Sequence, residues 1–457
     1  MKHIDIVELF NNKNYVNKKV TVCGWARTTR DSKNMAFMEI NDGTSLKHLQ
    51  IVMDKTIIDN IYQFKLGCSV KVDGTLVESL VMKDSVEVNA EKITLLGDCP
   101  PDYPLQKKRT TLEFLRGIPH LRLRTNTFNA VFRVRSVVSW AIHEFFQNRN
   151  FVYVHTPIIT ASDCEGAGEM FRVTTHDYDA KFDSEEEYYN NDFFGQKAGL
   201  SVSCQLEGEV AAMAMGKIYT FGPSFRAEHS NTPRHAAEFW HIEPEIAFAE
   251  LPDLLEIAEA LIKHIVNTVL TKCASEIEFF DRFMEKGLID KLKNVVNNEF
   301  GVIDYIKAIE LLQQSGQKFQ FPVAWGKDIQ TEHEKYLTEV IFKKPIFVIN
   351  YPKTIKSFYM KQNDDGKTVA ATDLLVPGVG EIIGGSERET DMDKLLQAMK
   401  EKNLNACEYE HYLSLRKFGS VPHSGFGLGL ERMIMYITGM SNIRDVILFP
   451  RTVGDIK

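Results

Sequence analysis

Residues 225–245 read "FRAEHSNTPRHAAEFWHIEPE", two arginines, four glutamates and three histidines set among Phe225, Phe239, Trp240 and Ile242. A two-residue period sorts them. In "KIYTFGPSFRAE" (217–228) Thr220, Ser224, Arg226 and Glu228 share one face, and Tyr219, Phe221, Phe225 and Ala227 take the other. In "EFWHIEPE" (238–245) Phe239, His241, Glu243 and Glu245 alternate with Trp240 and Ile242. The pattern predicts a hairpin with one face toward the core and one crowded with charge. Its connection, "HSNTPRHAA", is too long for a two-residue turn and carries Arg234 and His235 at its tip. Such a surface suits a polyanion together with something carboxylated.

The 457-residue chain is 44% apolar and 25% charged, ordinary composition for about two to four globular domains. It holds no apolar run of about eighteen residues, and its start lacks an apolar signal core, so a cytoplasmic protein with no membrane partner is expected. Seven cysteines lie far apart without CxxC or Cys/His spacing, which implies reduced thiols and gives no sign of zinc. The formal net charge of −8 argues against a non-specific nucleic-acid coat, and DNA is not expected as a partner. The charge is uneven. Residues 106–135 hold eight Lys/Arg against one Glu, and residues 176–192 hold seven acids against one Lys. The basic strip either contacts phosphates or packs against acids of the protein itself.

Between about Lys18 and Leu96, short alternating runs such as "KVTVCGWAR", "NMAFMEIND" and "GCSVKVDGTLV" predict five strands and a small OB-fold barrel. Val20, Val22, Ala26, Ala36, Met38 and Ile40 fall on its inner face. Trp25, Arg27 and Phe37 fall outside near Arg30, either as a stacking platform for unpaired bases or as cover for a barrel end. "LGDCPPDYPLQKKRTTLEF" reads as a boundary, and "FNAVFRVRSVVSWAIHEFFQNRNF" as a long amphipathic helix. Further helices are predicted in "LPDLLEIAEALIKHIVNTVLTK", "VIDYIKAIELLQQ" and "ETDMDKLLQAMKEKN". Near the C-terminus, "VPHSGFGLGLER" places Gly425, Gly427 and Gly429 before a helix that carries Glu431 and Arg432, so an arginine just inside the helix could lie against a base and reach phosphate.

Three segments together carry a family resemblance. "FRAE" with "EFWHIE", "GLGLER", and the long helix running into a strand with Pro157 resemble the second, third and first signature motifs of class II aminoacyl-tRNA synthetases. With the barrel in front, the chain is similar to the aspartyl, asparaginyl and lysyl subgroup over nearly its whole length. The implied fold is α+β: an OB-fold anticodon-binding domain (1–104), a basic hinge (105–128) and a catalytic domain (129–457) on an antiparallel sheet flanked by helices. The implied cofactors are ATP and Mg2+.

The resemblance also implies roles for individual residues. Arg226 would bridge the amino-acid carboxylate and the α-phosphate, with Glu228 its acidic companion and Arg432 the third residue at the reaction centre. Phe239 and Arg432 would enclose adenine, and Arg234 and His235 would hold the outer phosphates. Asp373 and Glu381 would be the magnesium ligands; Gly384 stands where related enzymes can offer a serine. Glu165 and Gln205 would meet the substrate α-amino group. Aspartyl enzymes place a lysine three residues after that glutamine, and this chain has Gly208. Arg388 as donor and Glu243 as acceptor then fit a carboxamide, so asparagine and asparagine tRNA are the expected substrates, with an aspartylating enzyme as the alternative. An ammonia-dependent asparagine synthetase would need no barrel, and a non-catalytic tRNA-binding paralogue would show damage at Arg226, Glu381 or Arg432. His229 departs from the asparagine expected there. Phe37, with Trp25, Arg27 and Arg30, would stack on the anticodon, and the long helix with "FVYVHTPIIT" would form a homodimer interface.

Overall fold

The computed structural model describes residues 3–79, 85–108, 110–164 and 170–456. The chain divides into two compact units, Met1–Phe132 and Arg133–Lys457.

In the first unit, β1 (Lys19–Asp31), β2 (Met35–Asn41), β3 (Leu49–Asp54), β4 (Ser69–Glu78) and β5 (Val86–Gly97) close a barrel in the order β1-β2-β3-β5-β4. All pairs are antiparallel except β3 with β5. The period-two reading of the inner face holds: Val20, Val22, Ala26, Ala36, Met38 and Ile40 are all buried, and Ile6 and Leu9 of the first helix join the same core. Within the basic strip, Arg133 and Arg135 pair with Glu276 and Glu431, and two further arginines turn to aromatic rings. Arg122 is fully buried with its guanidinium 4.4 Å from the centre of the Phe128 ring, and Arg124 lies 5.4 Å from the Trp25 ring. Burial of a guanidinium is tolerable where an aromatic face replaces part of its hydration.

The second unit is built on an eight-stranded sheet. Its chain-order strands are β6 (Val152–Tyr153), β9 (Lys217–Phe225), β10 (Glu238–Ala247), β11 (Gly301–Asp304), β12 (Ile346–Pro352), β13 (Thr368–Val376), β14 (Gly380–Glu387) and β15 (His423–Gly429), while β7 (Ile159–Thr160) and β8 (Gly199–Leu200) pair separately. The order β11-β12-β13-β14-β15-β10-β9-β6 is antiparallel through the middle and parallel only at the two edge pairs, β11/β12 and β6/β9.

The hairpin of residues 217–247 lies inside this sheet, with Phe239 opposite Ser224 and Glu243 opposite Thr220. Tyr219, Phe221 and Ile242 face the core as the alternation predicts; Phe146 of the helix Asn126–Gln147 stacks on Tyr219 at 4.5 Å. Trp240 departs from them and is 42% exposed. The polar face is also covered: Thr220, Ser224, Glu243 and Glu245 are buried. The helix Gln205–Met215 packs over it, with Gly208 beside Glu245 and Ile218, where an added Cβ would stand at ordinary contact distance, 3.4 and 3.5 Å. What reads in sequence as a charged surface is therefore the wall of an enclosed site.

Candidate active site

Two cavities open onto that face. The first is lined by Arg226, Arg234, His235, Phe239, Glu381 and Arg432, with Glu228 on its rim. The second is lined by Gln205, Glu243, Glu245, Lys356, Asp373 and Arg388. Four residues belong to both: Arg226, His241, Glu381 and Gly427. A ligand in one cavity would thus meet a ligand in the other beside a guanidinium.

In the first cavity, β9 ends at Phe225, and the Arg226 N–H still donates to the Ala237 carbonyl at 2.9 Å, which fixes the arginine at the mouth of the hairpin. Its guanidinium lies 5.4 Å from the Phe239 ring centre. Arg432, early in the helix Leu430–Thr438, donates to the Glu381 carbonyl at 3.1 Å and to its carboxylate at 3.4 Å. Arg432 thus lines the same cavity as Phe239 while bound to Glu381. Arg234 donates to Thr331 at 3.1 Å and lies 3.6 Å from the Glu334 carboxylate. The His235 Nδ1 lies 2.6 Å from Thr232 and 3.0 Å from Ser230, and burial with Arg432 nearby pushes this imidazole below its ordinary range. Glu431 serves the scaffold: it accepts from Arg135 at 2.7 Å and from the Trp240 N–H at 3.1 Å.

Asp373 and Glu381 converge over Gly384, where an added Cβ would stand 3.1 Å from Glu381 Oε1 and 3.6 Å from Asp373 Oδ1. The absent side chain leaves a cradle between two carboxylates, a donor set that fits a hard cation shared with phosphate oxygens. Lys356 donates to both Asp373 oxygens, at 2.9 and 2.7 Å. Burial opposes the charge on Glu381, but Arg432, Lys356 and Arg226 outweigh it and hold the carboxyl below its ordinary value.

In the second cavity, Glu243 accepts from the Ser203 hydroxyl and from the Cys204 N–H at 2.8 Å, and the His241 Nδ1 lies 3.2 Å from its Oε1. Burial works against this carboxylate, yet His241 and the two hydrogen bonds bring it down to about 2, so it remains an acceptor at any physiological pH. Arg388 is paired with Glu245 through two hydrogen bonds and donates to Ser386 at 2.9 Å. Its planar face lies 5.2 Å from the Tyr359 ring centre. The expected donor and acceptor therefore share one cavity but hold different protein partners. Gln205 donates to Glu209 at 3.0 Å, and Glu209 also accepts from Arg416 at 2.9 Å and Tyr412 at 3.1 Å and lies 3.0 Å from His423. This fully buried base fixes the floor of the cavity. Glu165 lies outside the described residues.

On the barrel, Phe37 is half-buried and pairs across the strands with exposed Arg30. Arg27 donates to Asn126 at 2.9 Å, and Trp25, 40% exposed, carries Arg124 over its ring. Phe37 and Arg30 thus form one open patch, whereas Arg27 and Trp25 are engaged with the segment that follows the barrel. Sequence reading missed Ser203, His241, Glu245 and Lys356 as lining residues. Glu245 and His241 carried a signal, their place on the polar face of the hairpin; Ser203 and Lys356 reach the cavity from distant loops and carried none.

The comparisons with known proteins accord with this geometry. A family model for class II tRNA synthetases (D, K and N) matches residues 112–453, and a model for the OB-fold nucleic acid binding domain matches residues 20–96. The chain is 57% identical to an asparagine–tRNA ligase of Clostridium tetani over the full length of both, and 57% identical to one of Acetivibrio thermocellus over 97% of each. Among solved structures, an asparaginyl-tRNA synthetase from Pyrococcus horikoshii complexed with asparaginyl-adenylate superposes with a TM-score of 0.88 at 33% identity, covering 100% of this chain and 99% of that one. An OB-fold barrel, a motif arginine shared by two adjoining cavities, and full-length identity to these enzymes make the chain a member of the class II tRNA synthetases, in the asparagine–tRNA ligase family.

Proposed function

We propose that the chain joins asparagine to asparagine tRNA in two steps at the paired cavities. The asparagine carboxylate attacks the α-phosphorus of ATP, the bond to the bridging oxygen breaks, and pyrophosphate leaves. The terminal ribose hydroxyl of the tRNA then attacks the adenylate carbonyl, forming the ester and releasing AMP. The single observation that carries this reading is the position of Arg226, shared by a cavity with an aromatic wall and a cavity with carboxamide-matching groups. A guanidinium there can neutralise the charge that develops between carboxylate and phosphate. The two-cavity arrangement itself brings the reacting atoms together.

In this reading Phe239 supports adenine, Arg432 covers its other face once nucleotide enters, and Arg234 and His235 hold the outer phosphates, with Glu228 at the rim. Asp373 and Glu381 would hold Mg2+, which when bound neutralises triphosphate charge. Gln205 and Glu165 meet the α-amino group. Glu243 accepts from the carboxamide NH2, and Arg388 donates to its oxygen. Gly208 favours the amide: with no lysine to supply a second cation, a substrate carboxylate would face Glu243 unscreened. The barrel (1–104) would bind the anticodon through Phe37, with Trp25, Arg27 and Arg30 around it, and the segment 105–128 would act as a hinge to the catalytic domain (129–457). A homodimer fits the apolar residues left exposed along the helix Asn126–Gln147 and residues 152–159: Trp140, Val152, Ile158 and Ile159. Among the described residues no helix is long and apolar enough to cross a membrane, and we place the activity in the cytoplasm, with neither membrane nor DNA as a partner.

Pyrophosphate exchange with asparagine and with aspartate, followed by charging of total tRNA, tests this assignment. Exchange with asparagine and charging of asparagine tRNA are expected; exchange with aspartate alone would overturn it. Phe37→Ala is expected to lower charging by roughly tenfold, the value of one base stack, with exchange unchanged. Unchanged charging would remove the barrel residue from the reading.

A further inference from the structure

His241 stands between the two cavities and lines both. It shares the polar face of β10 with Phe239 and Glu243, one strand repeat from each, so the nucleotide wall, the imidazole and the amide acceptor follow one another along a single strand. Its ring meets the Phe239 ring at 5.6 Å and 62°. Its Nδ1 lies 3.2 Å from Glu243 Oε1 and 3.5 Å from the Ser224 hydroxyl. On the other side its Nε2 presses on β15, where an added Cβ at Gly427 would stand 2.4 Å away. The strand is a glycine where the imidazole needs room, and the ring is held on both sides. Because an ionised carboxylate only accepts, Nδ1 carries the proton in this contact.

We infer that His241 is a specificity-determining positioning residue, which fixes the Glu243 carboxylate as an acceptor and thereby selects a carboxamide over a carboxylate. The inference deepens the asparagine reading above and rests on it. A carboxylate offers about four lone-pair directions. Two are taken, by the Ser203 hydroxyl and the Cys204 N–H, and the His241 Nδ1, 3.2 Å from Oε1, stands over a third. What remains is one direction, suited to one N–H of the substrate amide. An aspartate side chain has no proton to donate there. It could be accommodated if Glu243 itself took up a proton and became the donor, and each donor already on Glu243 makes that uptake harder. Loss of the His241 N–H leaves Oε1 to the Ser203 hydroxyl alone, loosens the carboxylate and lowers the barrier to its protonation. The consequence is a weaker hold on asparagine and a weaker rejection of aspartate, with the reaction centre at Arg226 untouched.

The experiment compares His241→Leu, which fills similar space without a donor, with His241→Gln, which keeps one, and uses Glu243→Gln as the control, all in the full chain. Pyrophosphate exchange is measured with both amino acids. His241→Leu is expected to raise the asparagine KM by ~10-fold or more, with kcat within about threefold and the ATP KM within about twofold. Its asparagine-over-aspartate ratio of kcat/KM should fall by ~10-fold or more, the usual effect of losing a donor to a charged group. His241→Gln should recover most of both. An unchanged ratio in His241→Leu, or equal losses in the two His241 variants, overturns the inference and leaves the ring a packing element. If Glu243→Gln keeps the asparagine preference, the asparagine reading of this wall fails as well; if it loses the preference while His241→Leu keeps it, only the inference fails.

Discussion

Glu243 is fully enclosed yet charged, and two hydrogen bonds together with the adjacent His241 account for it. Its ordinary value is 4.5 and the fold depresses it to about 2. A depressed carboxylate stabilises the fold above the unfolded value, and that stability is lost as pH falls through the folded one. For a shift of this size the linked stability is on the order of 3 kcal/mol, of which about 2 kcal/mol is gone by pH 3. Glu243→Gln has no such dependence. The stability gap between wild type and Glu243→Gln, read from urea unfolding of the catalytic unit, is therefore expected to narrow by about 2 kcal/mol between pH 6 and pH 3. A gap constant over that range would mean that Glu243 is not held by these donors.

Among the elements, β15 shows how a strand is shaped by its neighbour. Gly425 pairs directly with Glu245, and an added Cβ at Gly425 would enter the Glu245 carboxylate; Gly427 makes room for His241 in the same way. The sequence "SGFGLGLER" reads as a turn-rich approach to a helix, and close backbone approach to a ligand was the expected reason for its glycines. The structure gives another: the strand lies flat against the polar side chains of β10. Gly425→Ala must displace the Glu245–Arg388 pair, and overpacking of this kind costs about 1–3 kcal/mol. The midpoint of thermal unfolding should fall by roughly 1.5–4.5 °C, measured by calorimetry. An unshifted midpoint would show that the pair can move freely. The hairpin itself was legible because a two-residue period assigns faces without reference to the rest of the chain. Its exposure was not legible. Periodicity says that Thr220, Ser224, Glu243 and Glu245 point one way, while only the helix Gln205–Met215 decides whether that way is solvent.

For the molecule as a whole, exposed Trp140 lies on the helix Asn126–Gln147 away from the buried Phe128, Val131, Ala141 and Phe145 stripe, and Val152, Ile158 and Ile159 are exposed as well. Trp140 is 65% exposed, a large apolar area to leave in water. In the homodimer proposed above, Trp140→Glu is expected to give a monomer in sedimentation velocity at micromolar concentration, and a variant that sediments as the wild type would exclude this face as the interface. The five barrel strands, the β9/β10 hairpin and the long helices were legible in the amino-acid sequence, because each depends on local alternation, turn residues and helical spacing; β11 was not, since residues 302–304 read as the start of a helix that in the structure begins at Tyr305. The chemical types needed at the site were legible too, since arginine, aromatic and carboxylate positions fall at fixed steps along a strand. Tertiary structure decided their pairing. It bound Arg388 to Glu245, Lys356 to Asp373 and His241 to Glu243, and it turned part of the basic strip inward at Arg122. The Arg388–Glu245 contact joins residues far apart in sequence, and the energies of all of them depend on burial and dielectric. No local pattern encodes either quantity.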